Sequence, residues 1–175
     1  MTESPRNAAR VLDVRDLLDS PGSSREVHLN EPFEDLQTEL AEVPSDVPVH
    51  VEVLLESVVE GILVSGSLSG RIEYRCARCL KPFSGDFGVE VTELFALEPA
   101  GDEDQYPVRE GVIDLEPMVR DAVLLAIPFS PLCRPDCLGL CERCGGDRNL
   151  GECSCPPAVD PRWEPLSHLG LDRTT

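Results

Sequence analysis

The sequence predicts an α+β protein: an antiparallel β-sheet with a barrel-like curl, one helix packed on it, and a C-terminal cysteine-rich zinc module. Three observations lead there. From Val47 onward apolar and polar residues alternate, the period of half-buried strands. After Asp114 the apolar residues recur instead at helical spacing. Six of the eight cysteines then crowd into residues 133–155. A chain of 175 residues, 41% hydrophobic, can bury a core and carry a module besides. With aromatics at only 5%, that core should be aliphatic.

Taken in order, residues 1–9 are polar and are expected to form a disordered tail. The α+β domain is expected over 10–130 and the zinc-binding module with its tail over 131–175. Arg10–Val14 reads as a short strand, Arg15–Asp19 as a helical turn stopped by Ser20-Pro21-Gly22-Ser23, and Glu26–Leu29 as another strand. In the acidic stretch 30–46, Leu36 and Leu40 fit one helical face. Val47, Val49, Val51, Val53 and Leu55 then alternate with polar partners in a strand. Val58–Ser67 reads as a second, broken near Gly61. Leu68, Gly70, Ile72, Tyr74 and Cys76 make a third, and Phe87, Val89 and Val91 lead a fourth into Leu94–Leu97. Short connections between neighbours imply antiparallel pairing. Glu98–Glu110 is an acidic loop. Asp114 caps a helix with Glu116 and Pro117 in its first turn, where a missing N–H is harmless. Leu115, Met118, Val119, Ala122, Leu125 and Ala126 form its apolar face, and Pro128 ends it. A tail helix from Asp160-Pro161 carries Trp163, Leu166 and Leu169, with Trp163 as an anchor.

The cysteines carry the chemistry. Cys76-Ala77-Arg78-Cys79 is one C-x2-C pair; Cys133, Cys137, Cys141, Cys144, Cys153 and Cys155 follow as C-x3-C-x3-C-x2-C-x8-C-x-C. Glycine after Cys144 is the usual zinc-knuckle turn, because it lets backbone N–H groups point back at thiolate charge. Eight thiols divide into two closed four-thiolate sites, so two Zn2+ ions are expected. A disulfide framework would need an oxidising compartment. Residues 1–12 lack the apolar core of a signal peptide, and no run approaches the ~18 apolar residues of a membrane span. A cytoplasmic location is expected, and with it metal rather than disulfides. Cys141, Cys144, Cys153 and Cys155 can close one site locally, leaving Cys76 and Cys79 to join Cys133 and Cys137. The alternative partition groups Cys133, Cys137, Cys141 and Cys144, and pairs Cys76/Cys79 with Cys153/Cys155. A catalytic zinc keeps an open position, which an even all-thiolate count does not leave. His28, His50 and His168 stand in no catalytic spacing, so no enzyme is expected.

The formal net charge is −18, and four thiolates on each Zn2+ would add about −2 per site. Such a chain is repelled by nucleic acid in bulk and by anionic membranes, and its natural partners are basic. Residues 1–60 hold 14 acids against 4 bases. The one locally basic stretch is Arg71, Arg75, Arg78 and Lys81, with Glu73 alone opposing. Solvated strand faces are the plain reading of it; a small, weak rRNA-type phosphate contact is the sharper one.

Cys76-Ala77-Arg78-Cys79-Leu80-Lys81-Pro82-Phe83, then Ile113-Asp114-Leu115, Pro131-Leu132-Cys133 and Gly139-Leu140-Cys141-Glu142-Arg143-Cys144-Gly145, resemble in their order the YceD family of bacterial and plastid large ribosomal RNA subunit accumulation proteins. Arg25-Glu26-Val27 and Leu55-Glu56-Ser57-Val58-Val59-Glu60-Gly61 are similar to its actinobacterial branch. Asp147-Arg148-Asn149-Leu150 departs slightly from the family's Gly-x-Asn/Asp-Leu-Asn type of turn and leaves the ligands untouched. The resemblance implies a role in accumulating large-subunit (23S) ribosomal RNA, and a gene commonly placed beside that of a small basic large-subunit ribosomal protein. It supplies no catalytic residue. The expected function is therefore non-catalytic support of large-subunit assembly, with a basic ribosomal protein or pre-ribosomal particle as partner. The rivals are a redox-sensing zinc-thiolate chaperone, whose oxidation would eject metal and expose apolar surface, and a general protein–protein adaptor.

Overall fold

The computed structural model describes residues 9–98, 105–156 and 162; the expected tail helix with Trp163, most of the N-terminal tail, and residues 99–104 of the acidic loop lie outside these. The described chain runs β1 (Val11–Asp13), α1 (Arg15–Leu18), β2 (Ser24–Pro32), β3 (Ala41–Glu42), β4 (Pro48–Val58), β5 (Gly61–Arg75), β6 (Pro82–Ala96), β7 (Tyr106–Pro107), β8 (Val112–Asp114) and α2 (Glu116–Ala126). The main sheet has the order β2-β4-β5-β6-β7, with β3 added on β5, and β1 pairs separately with β8. All of these pairings are antiparallel except β6 with β7.

The sheet is open, which corrects the barrel-like expectation: β2 and β7 end it without meeting. Its width rests on β2, β4, β5 and β6, too few long strands to curl shut, and α2 packs on β6 to cover the core face instead. On β4, Val49, Val51, Val53 and Leu55 are buried, as the alternation predicts. The expected second and third strands are a single one, β5. The chain turns at Val59-Glu60, and Ile62, Val64, Leu68 and Ile72 keep one parity along all of β5. The apparent break near Gly61 is the β4–β5 turn, and Gly66 and Gly70 keep the same parity at points where neighbours come close. A Cβ on Gly66 would lie 2.1 Å from the Glu52 carbonyl oxygen, and one on Gly70 would lie 2.8 Å from the ring of Phe87, its partner on β6.

No helix forms around Leu36 and Leu40. Thr38 N–H donates to Ala41 O and Val43 N–H to Leu36 O, so residues 36–43 fold back on themselves and lay β3 against Glu73 and Tyr74. Phe33, Leu36, Ala41 and Val43 plug that side of the core. The α2 face is also rotated from expectation. Leu115, Met118, Val119 and Val123 are buried, Ala122 is half-buried, Ala126 is exposed, and Leu125 is 84% exposed. The N-cap is Leu115 rather than Asp114, whose carboxylate instead accepts from Glu116 N–H at 3.0 Å just ahead of the helix. Ile127 leaves the helix with ψ 123°, as the residue before a proline must. Arg10, which the sequence marks only as a strand residue, is a buried anchor. Its guanidinium meets Glu116 at 3.0 Å, donates to the Pro32 carbonyl, and lies 4.2 Å over the Phe33 ring.

Candidate metal centres

The β5–β6 hairpin and the segment after α2 build the first centre. Arg75 and Pro82 are the last pair of the ladder, and the six residues between them make the turn with Cys76 and Cys79. Leu80 N–H donates to Cys76 O at 2.9 Å and Cys76 N–H to Lys81 O at 3.0 Å, which closes the knuckle. Ala77 N–H then reaches Pro131 O at 2.8 Å, bringing Cys133 and Cys137 against the hairpin. Cys76, Cys79, Cys133 and Cys137 thus place their sulfurs within 4.8 Å of one another. Cys76 to Cys137 is 3.8 Å and Cys79 to Cys133 is 3.7 Å. Four thiolates at about 2.3 Å from a tetrahedral metal stand about 3.8 Å apart, so the donor set fits such an ion in both chemistry and spacing. Phe83, Leu132 and Leu140 pack around it.

The second centre is local. Cys141, Cys144, Cys153 and Cys155 also lie within 4.8 Å of one another. Gly145, at φ 71°, donates to Cys141 O at 2.8 Å, and Cys141 N–H donates to Gly146 O at 2.9 Å. The sulfurs therefore group as the first of the two partitions weighed from the sequence, one tetrad stapling distant elements and one closing within fifteen residues.

Each tetrad has one thiol that ionises readily. Burial opposes ionisation of Cys76, but backbone N–H groups of Cys133, Cys79 and Arg78 outweigh it and bring its pKa down to about 6. Backbone N–H groups of Cys144 and Arg143 bring Cys141 to about 6. Their neighbours go the other way: burial and the Cys79 thiol push Cys133 up to about 12, and contacts with Cys144 and Cys153 push Cys155 up to about 12. Without a cation, further thiolates in either tetrad meet the charge of the first. A divalent metal relieves that, which is what such a cluster is chemically suited to hold.

The four basic residues singled out for phosphate contact do not stand together as one free patch. Arg71 and Arg75 are exposed on the outward face of β5, where Arg71 pairs in register with Asp86. Arg78 donates to Cys137 O at 2.8 Å within the first centre, and Lys81 meets Asp147 at 2.7 Å between the first centre and the loop of the second, so both are engaged. Nothing in the sequence marks Asp147 and Asn149 as functional. Their signal was faint: an Asp-x-Asn inside a cysteine-bounded loop, where such residues commonly just make the turn.

No helix among the described residues is long and apolar enough to cross a membrane. No solved structure matches the chain. An uncharacterised protein of Mycobacterium tuberculosis is 40% identical over 114 residues, covering 62% of this chain and 55% of that protein. One of Mycobacterium leprae is 34% identical over 114 residues, covering 62% and 52%. The Zea mays chloroplastic protein named Large ribosomal RNA subunit accumulation protein YCED homolog 1 is 34% identical over 62 residues, covering 35% of this chain and 21% of its own. The match thus spans about half the length of the mycobacterial relatives. A family model described as Large ribosomal RNA subunit accumulation protein YceD matches residues 64–170, a span that holds β6, α2 and all eight cysteines. The chain belongs to the YceD family.

Proposed function

We propose that this chain is a non-catalytic, cytoplasmic zinc scaffold that supports accumulation of large-subunit ribosomal RNA by engaging a basic ribosomal protein or a pre-ribosomal particle. The zinc ions, one in each tetrad, are structural: four thiolates leave no open coordination position for a substrate. The maize relative's name supplies the ribosomal direction.

The observation that carries the choice of partner is the outward face of the sheet. Glu52 on β4 stands in register with Ser67 on β5, which is in turn opposite Glu90 on β6, and His28 on β2 completes that row. Glu26 and Glu56 lie on the same face. Away from Arg71 and Arg75 the charged side chains of this face are all acids, set among serines, two histidines and the half-buried Leu54, Leu63 and Leu94, a net negative surface on a chain of net charge −18. Such a surface attracts a lysine- and arginine-rich protein quickly and in a salt-dependent way. It opposes phosphate within a Debye length of about 8 Å at physiological salt. Direct RNA contact is left to Arg71 and Arg75, and is weak.

The test is binding of the purified chain to protein-free 23S rRNA and to individual basic large-subunit proteins, each at two salt concentrations. A basic protein should bind more tightly than naked rRNA and lose affinity steeply with salt. Tight, specific binding to protein-free rRNA that persists in the Arg71→Glu/Arg75→Glu double variant would overturn the reading.

A further inference from the structure

The two tetrads are not independent. The loop between Cys144 and Cys153, closed at both ends by ligands of the second centre, reaches across to the first. Arg148 N–H donates to Gly139 O and Leu140 N–H to Arg78 O, both at 3.0 Å, forming a backbone seam between the knuckles. Gly139 is required there: at φ 73°, a Cβ on it would come within 2.9 Å of the Arg78 carbonyl oxygen.

Across this seam Asn149 is held at every polar position. Its Oδ1 accepts from Leu138 N–H at 2.8 Å and from Arg134 Nη2 at 2.7 Å. Its Nδ2 donates to Asp147 Oδ1 at 2.8 Å and to the sulfur of Cys137 at 3.6 Å. Donors on one end of the carboxamide and acceptors on the other fix which way it faces. Asp147 is locked in turn: it is 5% exposed, it accepts from Asn149 N–H at 2.8 Å, and it meets the Lys81 ammonium at 2.7 Å. Lys81 belongs to the hairpin of the first centre, so the loop is gripped at both ends of that centre.

We propose that Asn149 is an outer-sphere positioning residue for the first metal centre, delivered by the second, so that the first centre reaches its full metal affinity only when the second is filled. The inference rests on reading both tetrads as metal sites. An all-thiolate centre places net negative charge on its sulfurs, and an N–H directed at one of them stabilises the metal-bound state. Cys137 receives that N–H from a side chain whose place depends on the Cys144–Cys153 loop being closed. The second tetrad closes within its own short block, so it can load first; the first must draw together the hairpin, the segment after α2 and this loop. Loading is therefore ordered, second centre before first.

The test uses the full chain loaded with 113Cd, whose NMR spectrum should give separate resonances for the two centres. In Asn149→Ala and in Asn149→Asp, which keeps the size but loses the donor, the first-centre resonance should move while the second stays in place. Extraction of the first-centre metal by a chelator should become easier by about 10–100-fold, the usual effect of losing an outer-shell partner. Cys144→Ser, which opens the loop, should weaken the first centre as well. Unchanged first-centre resonance and extraction in both Asn149 variants would overturn the proposal, as would movement of the second centre alone. A wild-type chain that takes up no cadmium would instead refute the metal reading itself, before any variant is compared.

Discussion

Lys81 is the chain's single lysine, and its ammonium is spent inside the molecule on Asp147 rather than presented to a partner. That pairing, reinforced by Asn149, holds the Asp147 carboxyl at about 2, well below its ordinary range. Tyr106 offers a titration distant from the metal centres. Burial, and then the Asp121 carboxylate to which its hydroxyl donates at 2.8 Å, raise its pKa above the ordinary 10.0. A folded-state value above the unfolded one means the contribution is intact below pH 10 and is lost as the pH climbs toward the folded value. Tyr106→Phe should forfeit about 1 kcal/mol at neutral pH for the missing hydrogen bond, yet lose less additional stability than wild type on going to about pH 11. Urea midpoints of both proteins at the two pH values check this, and parallel losses would contradict it. Neither Asp147 nor Tyr106 was legible as important in the sequence, because each depends on a partner that only folding supplies.

At the scale of elements, β5 shows what alternation reveals and what it hides. Val49 to Leu55 on β4 could be read directly, since every second residue is apolar and all four are buried. β5 follows the same period from Gly61, where the pattern suggests a break, and Gly66 and Gly70 occupy two of its core-facing positions. Their reason is steric and lies on the neighbouring strands, beyond the reach of a local pattern. Gly66→Ala should therefore destabilise the protein by about 1–3 kcal/mol or more, because its Cβ meets a backbone carbonyl that cannot swing aside. Gly88→Ala, where nothing lies within 4 Å, should stay within about 0.5 kcal/mol of wild type. Comparable urea midpoints for the two variants would contradict the close approach. The α2 face erred for a related reason: helical spacing admitted either Leu125 or Val123, and only the position of β6 decides that Val123 is covered and Leu125 is not.

At the scale of the whole molecule, the sequence carried the site further than it carried the fold. Cysteine spacing nominated all eight candidate ligands, because short loops constrain which thiols can meet. It left two partitions open, since the meeting of Cys76 and Cys79 with Cys133 and Cys137 depends on α2 leading the chain back to the β5–β6 hairpin. The sheet's failure to close, and the seam between the two centres, are long-range outcomes with no local signature. What emerges is an acidic open sheet whose hairpin end is tied to the C-terminal segment at a pair of cysteine clusters. On the proposed reading, metal binding at the first cluster would be part of the folding free energy, because that cluster joins elements far apart in the chain. Elemental analysis of protein purified without added metal, paired with native mass spectrometry, tests this most directly. The expected result is two zinc ions per chain, both lost together with the fold on exhaustive chelation; a content near one, iron in place of zinc, or a metal-free chain that keeps its full stability would contradict it.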